Sequence, residues 1–90
     1  MKRVHLFIDG RVQGVGFRHF TKKTARNLGV NGWVRNLHDG RVEAVFEGKD
    51  DRVEEAVKAV KKGPPLSYVS DVNMEKEEYH GEFNSFRVSY

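Results

Sequence analysis

The hydrophobic pattern changes its period across a short glycine-containing segment near the start of the chain. Residues 3–9 alternate apolar and polar side chains, which indicates a strand. Residues 17–28 place mostly apolar side chains at helical spacing, and Gly29 follows where a C-terminal cap is expected. The segment between them therefore predicts a tight turn that joins a first strand to a first helix.

The predicted turn has the features of an anion-binding loop. Gly14 and Gly16 permit backbone conformations that a Cβ atom disfavours, and they allow a ligand to approach closely. The first amides of the following helix lack partners within the helix, and the helix dipole adds positive charge there. Arg18 adds a guanidinium at the same end. This pattern indicates phosphate binding, although a tight turn followed by a surface arginine would produce it equally well.

Two familiar nucleotide-binding motifs do not fit this loop. A dinucleotide-binding fingerprint needs a further glycine where His19 stands, and the chain is too short for a doubly wound fold. A P-loop needs a Gly-Lys-Ser/Thr sequence that the chain lacks. The expected ligand is therefore a small phosphate ester or anhydride.

A second candidate residue lies before a hairpin signal. Residues 30–37 and 42–48 predict two strands, and Asp39-Gly40 between them is typical of a hairpin turn. Asn36 is a polar residue at the end of the first of these strands, where it could simply support the turn. In a split βαβ fold, however, this strand end can lie near the glycine loop. The side-chain amide of Asn36 could then accept a hydrogen bond from a water and donate one to it.

The second half of the chain predicts another helix and a strand. Residues 50–62 carry a helical stripe of apolar side chains, with Asp50 or Asp51 as the expected N-cap. Residues 67–76 alternate as a strand in which Met74 is expected to lie in the core.

The order of elements predicts the fold class. A short terminal strand near Phe86 follows the sequence strand, helix, strand, strand, helix, strand. This order predicts an α+β, ferredoxin-like split βαβ sandwich, with a mostly antiparallel sheet and two helices on one face. The chain of 90 residues is expected to form one domain that spans residues 1–90.

Composition narrows the possible functions. The chain has no cysteine, which excludes disulfides, thiolate catalysis and cysteine zinc sites. It contains no apolar run long enough for a signal peptide or a membrane span, so we expect a cytoplasmic protein. The net charge of +3 suits an anionic ligand but does not by itself indicate nucleic acid. The oligomeric state is expected to be a monomer or a weak oligomer.

The remaining polar residues do not suggest a catalytic group. The four histidines lack metal-ligand spacing, and the serines lack the context of a nucleophile. No general base stands out among the carboxylates. A reaction at this site therefore needs a substrate that is already activated, with a good leaving group.

Two segments of the chain resemble a known family. Gly10–Arg18 (Gly-Arg-Val-Gln-Gly-Val-Gly-Phe-Arg) resembles the signature loop of the acylphosphatase family. Gly32–Asn36 (Gly-Trp-Val-Arg-Asn), with the later stretch from Asp39 to Gly48, resembles the second signature of that family. The separation of the motifs, the chain length and the order of elements agree as well.

The resemblance implies metal-free, cofactor-free hydrolysis of the carboxyl–phosphate anhydride bond of acyl phosphates, which yields a carboxylate and inorganic phosphate. Arg18, by its match to the family's arginine, would bind the phosphoryl oxygens with the loop amides. Asn36, by its match to the family's asparagine, would orient the attacking water. The implied substrate-binding residues are Gln13, Gly14, Val15, Gly16, Phe17 and Arg18. Phosphoryl transfer depends mainly on positioning and charge stabilisation, so these groups can suffice.

Three other interpretations stay open. A ferredoxin-like sheet can bind RNA through exposed aromatic side chains, and the predicted strands carry Phe7, Trp33, Tyr68 and Phe86, although no aromatic-rich RNA motif is present. An anion sensor without turnover would need Arg18 and the amides but no asparagine that holds water. Acylphosphatase-like domains also occur fused within hydrogenase-maturation proteins, but the chain shows no added segment or metal motif. The main alternative is therefore a non-catalytic anion- or RNA-binding module.

Overall fold

The computed structural model, which describes residues 1–90, is a five-stranded sheet with two helices packed against it. In chain order the elements are β1 (Lys2–Arg11), α1 (Phe17–Leu28), β2 (Asn31–Asn36), β3 (Val42–Gly48), α2 (Asp50–Lys62), β4 (Tyr68–Glu77) and β5 (Phe86–Val88). The strand order is β4-β1-β3-β2-β5, and all neighbouring strands are antiparallel except β2 and β5. The predicted ferredoxin-like sandwich is confirmed.

The core lies between the helices and one face of the sheet. Val4, Leu6 and Ile8 of β1 point into it, as their alternation predicts. The helices contribute their apolar stripes, of which Phe17 and Val53 are almost fully buried members. Strand β3 is buried along its whole length because it is the central strand of the sheet.

A β-bulge in β4 interrupts the alternation that the sequence predicts for that strand. Asp9 pairs with Asp71 while Gly10 pairs with Val69, so Ser70 is an extra residue on β4. As a result Val69 and Val72 both pack against the core, although simple alternation puts them on opposite faces. Gly10 is required here, because a Cβ atom would lie 2.1 Å from the Tyr68 carbonyl oxygen.

Two further expectations in the second half of the chain are wrong. The N-cap of α2 is Lys49, and Asp50 and Asp51 lie inside the first turn, where their charges favour the positive end of the helix dipole. Met74 pairs with Leu6 and faces the helix layer, but it is 44% exposed because β4 is an edge strand. Neither helix is long and apolar enough to cross a membrane.

The sheet face turned away from the helices carries a chain of ion pairs centred on His5. The Nε2 atom of His5 lies 2.6 Å from a Glu43 oxygen, and its Nδ1 atom lies 3.0 Å from a Glu77 oxygen. Arg35 also binds Glu43, and Arg3 binds Glu77. Burial lowers the pKa of His5, but the two hydrogen bonds outweigh it and raise that pKa above its ordinary value.

On the same face, Glu47 forms hydrogen bonds that hold the segment before β5 in position. Its carboxylate is almost fully buried and accepts hydrogen bonds from the backbone amides of residues 80–83 at 2.9–3.4 Å. A carboxylate is the acceptor that several converging amides bind most strongly. These bonds help to position the chain immediately before β5, which ends beside the glycine loop described below.

Candidate active site

The glycine loop leaves a row of unpaired amides at the start of α1. Gly14 and Gly16 have φ values of 74° and 78°, in the left-handed region that favours glycine. None of the backbone amides from Gln13 to His19 donates a hydrogen bond within the protein; the first helical bond runs from the Phe20 amide to the Gly16 oxygen. The loop and the first turn of α1 therefore present free donors at the positive end of the helix dipole.

Arg18 adds an uncompensated positive charge to this end of the helix. It is half-buried and forms no ion pair with any carboxylate. Its guanidinium carbon lies 4.8 Å from the centroid of the Tyr90 ring, in a cation–π arrangement. The ring does not neutralise the charge of the guanidinium, so that charge is available to an anion.

Asn36 contributes a polar atom that has no partner in the protein. Its Oδ1 atom is buried and accepts no hydrogen bond, and it is the one buried side-chain polar atom of which this is true. Leaving such an atom unpaired costs about 1–3 kcal/mol. The Asn36 oxygen is therefore an acceptor that a water or a ligand can satisfy.

The topology of the sheet brings these groups into one cavity. Strands β1 and β2 are both antiparallel to β3, and β5 is parallel to β2, so the C-terminal ends of all three lie at the same end of the sheet. Helix α1 starts there because it follows β1 after a short loop. The cavity is about 230 Å³ and is lined by Val12, Gly14, Gly16, Phe17, Arg18, His19, Lys22, Asn36, Val88 and Tyr90.

Two of the residues predicted to bind substrate direct their side chains elsewhere. Gln13 Nε2 donates hydrogen bonds to the Leu37 and Arg41 carbonyl oxygens, at 2.7 and 2.9 Å, and so ties the loop to the β2–β3 hairpin. Val15 packs against the core. Only the backbone amides of these two residues are free, whereas Gly14, Gly16, Phe17 and Arg18 line the cavity itself.

Sequence reasoning missed several residues that line the cavity. Lys22 lies four positions after Arg18, so helical spacing alone could have placed the two on the same side of α1. Tyr90 carries no such signal, because it reaches Arg18 only through the pairing of β5 with β2.

Phe7, Trp33 and Tyr68, three of the four aromatic residues considered for RNA binding, face away from the helices but lie on three different strands. Phe86 is buried in the core. Tyr68 lies on β4, at the opposite edge of the sheet from β5. Phe7 and Trp33 stay on the open face, where Arg41 and Arg35 lie over their rings. A larger cavity of about 630 Å³ lies on the open face beside Trp33 and β5. Val88 and Tyr90 line both this cavity and the first one.

Comparisons with known proteins agree on one family. The family model for acylphosphatase matches residues 4–88. An acylphosphatase of Trichormus variabilis is 62% identical over 79 residues, which cover 88% of this chain and 78% of that protein. An acylphosphatase of Syntrophotalea carbinolica is 54% identical over 88 residues, which cover 98% and 96%.

A solved structure gives the same result for the fold. The crystal structure of acylphosphatase from Bacillus subtilis matches this fold with a TM-score of 0.96 and 39% sequence identity, over 100% of both chains. The family model and the relatives each extend over nearly the whole chain, and the fold agrees throughout. The chain therefore belongs to the acylphosphatase family.

Proposed function

We propose that this chain hydrolyses the carboxyl–phosphate anhydride bond of acyl phosphates without a metal ion, using Arg18 and Asn36. Membership of the acylphosphatase family supports the reaction class. The observation that carries the residue roles is the meeting of three features in one cavity. These are a row of unpaired amides, an unpaired guanidinium and a buried amide oxygen without a partner.

The phosphoryl group binds to the loop and to Arg18. The free amides at the start of α1 donate to its oxygens, and the Arg18 guanidinium adds charge-assisted hydrogen bonds. Negative charge on these oxygens is redistributed as the anhydride bond breaks. Donors that are already oriented stabilise that change without reorganising, which is where most of the rate enhancement arises.

Asn36 positions the attacking water. Its Oδ1 atom accepts a hydrogen bond from the water, which satisfies the one buried side-chain acceptor that the protein leaves unpaired. The water oxygen then forms a bond to phosphorus, and the bond from phosphorus to the acyl oxygen breaks. The electron pair of that bond stays on the acyl oxygen, so the acyl group leaves as a carboxylate.

The substrate itself accepts the proton of the water. No Asp or Glu side chain lines the cavity, and the carboxylate leaving group needs no protonation. The proton therefore passes to a phosphoryl oxygen. His19 is the one histidine in the cavity, so His19→Ala is expected to retain most of the rate. Loss of turnover in that variant would instead identify His19 as a general base.

The test is hydrolysis of benzoyl phosphate in EDTA by the wild type, Arg18→Ala and Asn36→Ala. Removal of a donor to the phosphoryl oxygens, as in Arg18→Ala, typically lowers kcat about 100- to 1000-fold. Asn36→Ala is expected to lower kcat while it preserves phosphate affinity, whereas Arg18→Ala lowers both. Arg52→Ala and Asn73→Ala are matched controls, because both residues are exposed and lie outside the cavity.

The outcomes separate the proposal from its alternative. Turnover in EDTA that only the two cavity variants lose supports the proposal. A folded wild type that binds phosphate but does not hydrolyse benzoyl phosphate would indicate an anion-binding module. Equal losses of rate and affinity in Asn36→Ala would contradict the role of Asn36 in holding water.

A further inference from the structure

We infer that this site selects acyl phosphates whose acyl group carries a negative charge of its own, and that Lys22 binds that second charge. The inference rests on the proposed function, which assigns the phosphoryl group to Arg18 and the loop amides. It concerns the part of the cavity that the phosphoryl group does not use.

Lys22 lies one helical turn beyond Arg18. Both residues line the same cavity and both are half-buried. Four residues along α1 correspond to a rise of about 6 Å, so the two cations are successive positions along one wall. A ligand whose phosphoryl group occupies the Arg18 end can therefore extend its other end toward Lys22.

The positive charge of Lys22 has no partner in the protein. Lys22 forms no ion pair, and no Asp or Glu side chain lines the cavity. The loop amides and Arg18 already supply donors to a single phosphoryl group. A second, separate cation in so small a space fits a substrate with two anionic groups better than a substrate with one.

Lys23 provides an internal comparison. It is the next residue in the same helix and also forms no ion pair, but it is exposed and does not line the cavity. The net charge of the protein and the composition of the helix are the same after substitution of either lysine. A difference between the two variants therefore reports the position of Lys22 in the cavity.

The experiment compares two synthetic substrates, one of which carries an additional negative charge at the para position. These are para-carboxybenzoyl phosphate and its methyl ester. We measure kcat/KM for both with the wild type, Lys22→Met, Lys23→Met and Lys22→Arg. Comparison of the ratio of the two values between a variant and the wild type cancels the intrinsic reactivity of each substrate.

Lys22→Met is expected to lower the preference for the carboxylate substrate about fivefold, which is the upper range for one partly exposed ion pair. Lys22→Arg retains the preference because it keeps the charge, and Lys23→Met leaves the ratio unchanged. The wild-type preference is expected to weaken at about 1 M salt, where the Debye length falls to about 3 Å.

Other outcomes would overturn either the role of Lys22 or the proposed function. A ratio that is the same in Lys22→Met and the wild type, or that falls equally in Lys23→Met, overturns the role of Lys22. Hydrolysis of neither substrate by the folded wild type overturns the proposed function itself. The two failures are distinguishable because the first requires measurable turnover of the methyl ester.

Discussion

Gln13 links the phosphate-binding loop to the strand end that carries Asn36, and its replacement tests whether this link matters for catalysis. The Gln13 amide donates to the carbonyl oxygens of Leu37 and Arg41. Leu37 directly follows Asn36, so the two bonds fix the loop against the residue proposed to hold the water. Gln13→Met keeps the length of the side chain and removes both donors.

The expected loss of stability follows from the other partners of the two carbonyls. The Leu37 oxygen also accepts from the Gly40 amide, and the Arg41 oxygen also accepts from the Leu37 amide. Neither oxygen is left without a partner, so each lost bond costs near the lower end of its usual range, about 0.5–1 kcal/mol. The total is about 1–2 kcal/mol, which lowers Tm by about 4–16 °C in a domain of this size.

The effect on turnover is expected to exceed the effect on phosphate binding. Arg18 and the loop amides stay in one segment, but their distance from Asn36 is no longer fixed, and a misplacement of about 1 Å can cost about 100-fold in rate. Urea unfolding measures the stability, benzoyl phosphate hydrolysis gives kcat, and phosphate inhibition gives the affinity. A variant that loses stability but keeps the wild-type kcat would refute the reasoning.

Two further predictions concern the open face of the sheet. Glu47→Gln is expected to lower the free energy of unfolding, measured in urea, by about 1.5–3 kcal/mol, because it weakens charge-assisted bonds to four backbone amides. The exposed control Glu75→Gln should change that free energy little. Equal losses in the two variants would contradict the role of the Glu47 hydrogen bonds. The pKa of His5 is raised in the folded state, so the folded protein binds more protons than the unfolded chain above about pH 6.5. The free energy of unfolding should therefore fall as the pH rises through the folded pKa, and His5→Asn should flatten that slope. The same slope in both proteins would show that His5 does not cause it.

Residue patterns in the sequence predicted those elements whose structure depends on interactions within a few residues. The glycine loop, the start of α1 after Gly16 and its end at Gly29 all follow from backbone preferences within a few residues. The hairpin around Asp39-Gly40 does so as well. Alternation failed in β4, because the bulge at Ser70 is defined by the partner strand and not by the sequence of β4 alone.

Burial was predicted less well than secondary structure. Met74 lies on the expected face, but its exposure depends on the edge position of β4. Phe86 was considered as a possible RNA-stacking residue and is a core residue, because β5 pairs with β2 and turns this side chain toward the helices. Both results depend on the order of strands in the sheet, which no single segment specifies.

The sequence by itself determined the family resemblance, the fold class and the two residues, Arg18 and Asn36, on which the proposed reaction depends. It could do so because the loop and the strand end are continuous segments with distinctive residue types. The tertiary structure alone decided that these residues share a cavity with Lys22 and Tyr90, and that Gln13 ties the loop to the hairpin. The physical reason is that the parallel arrangement of β1, β2 and β5 brings three distant strand ends to one end of the sheet.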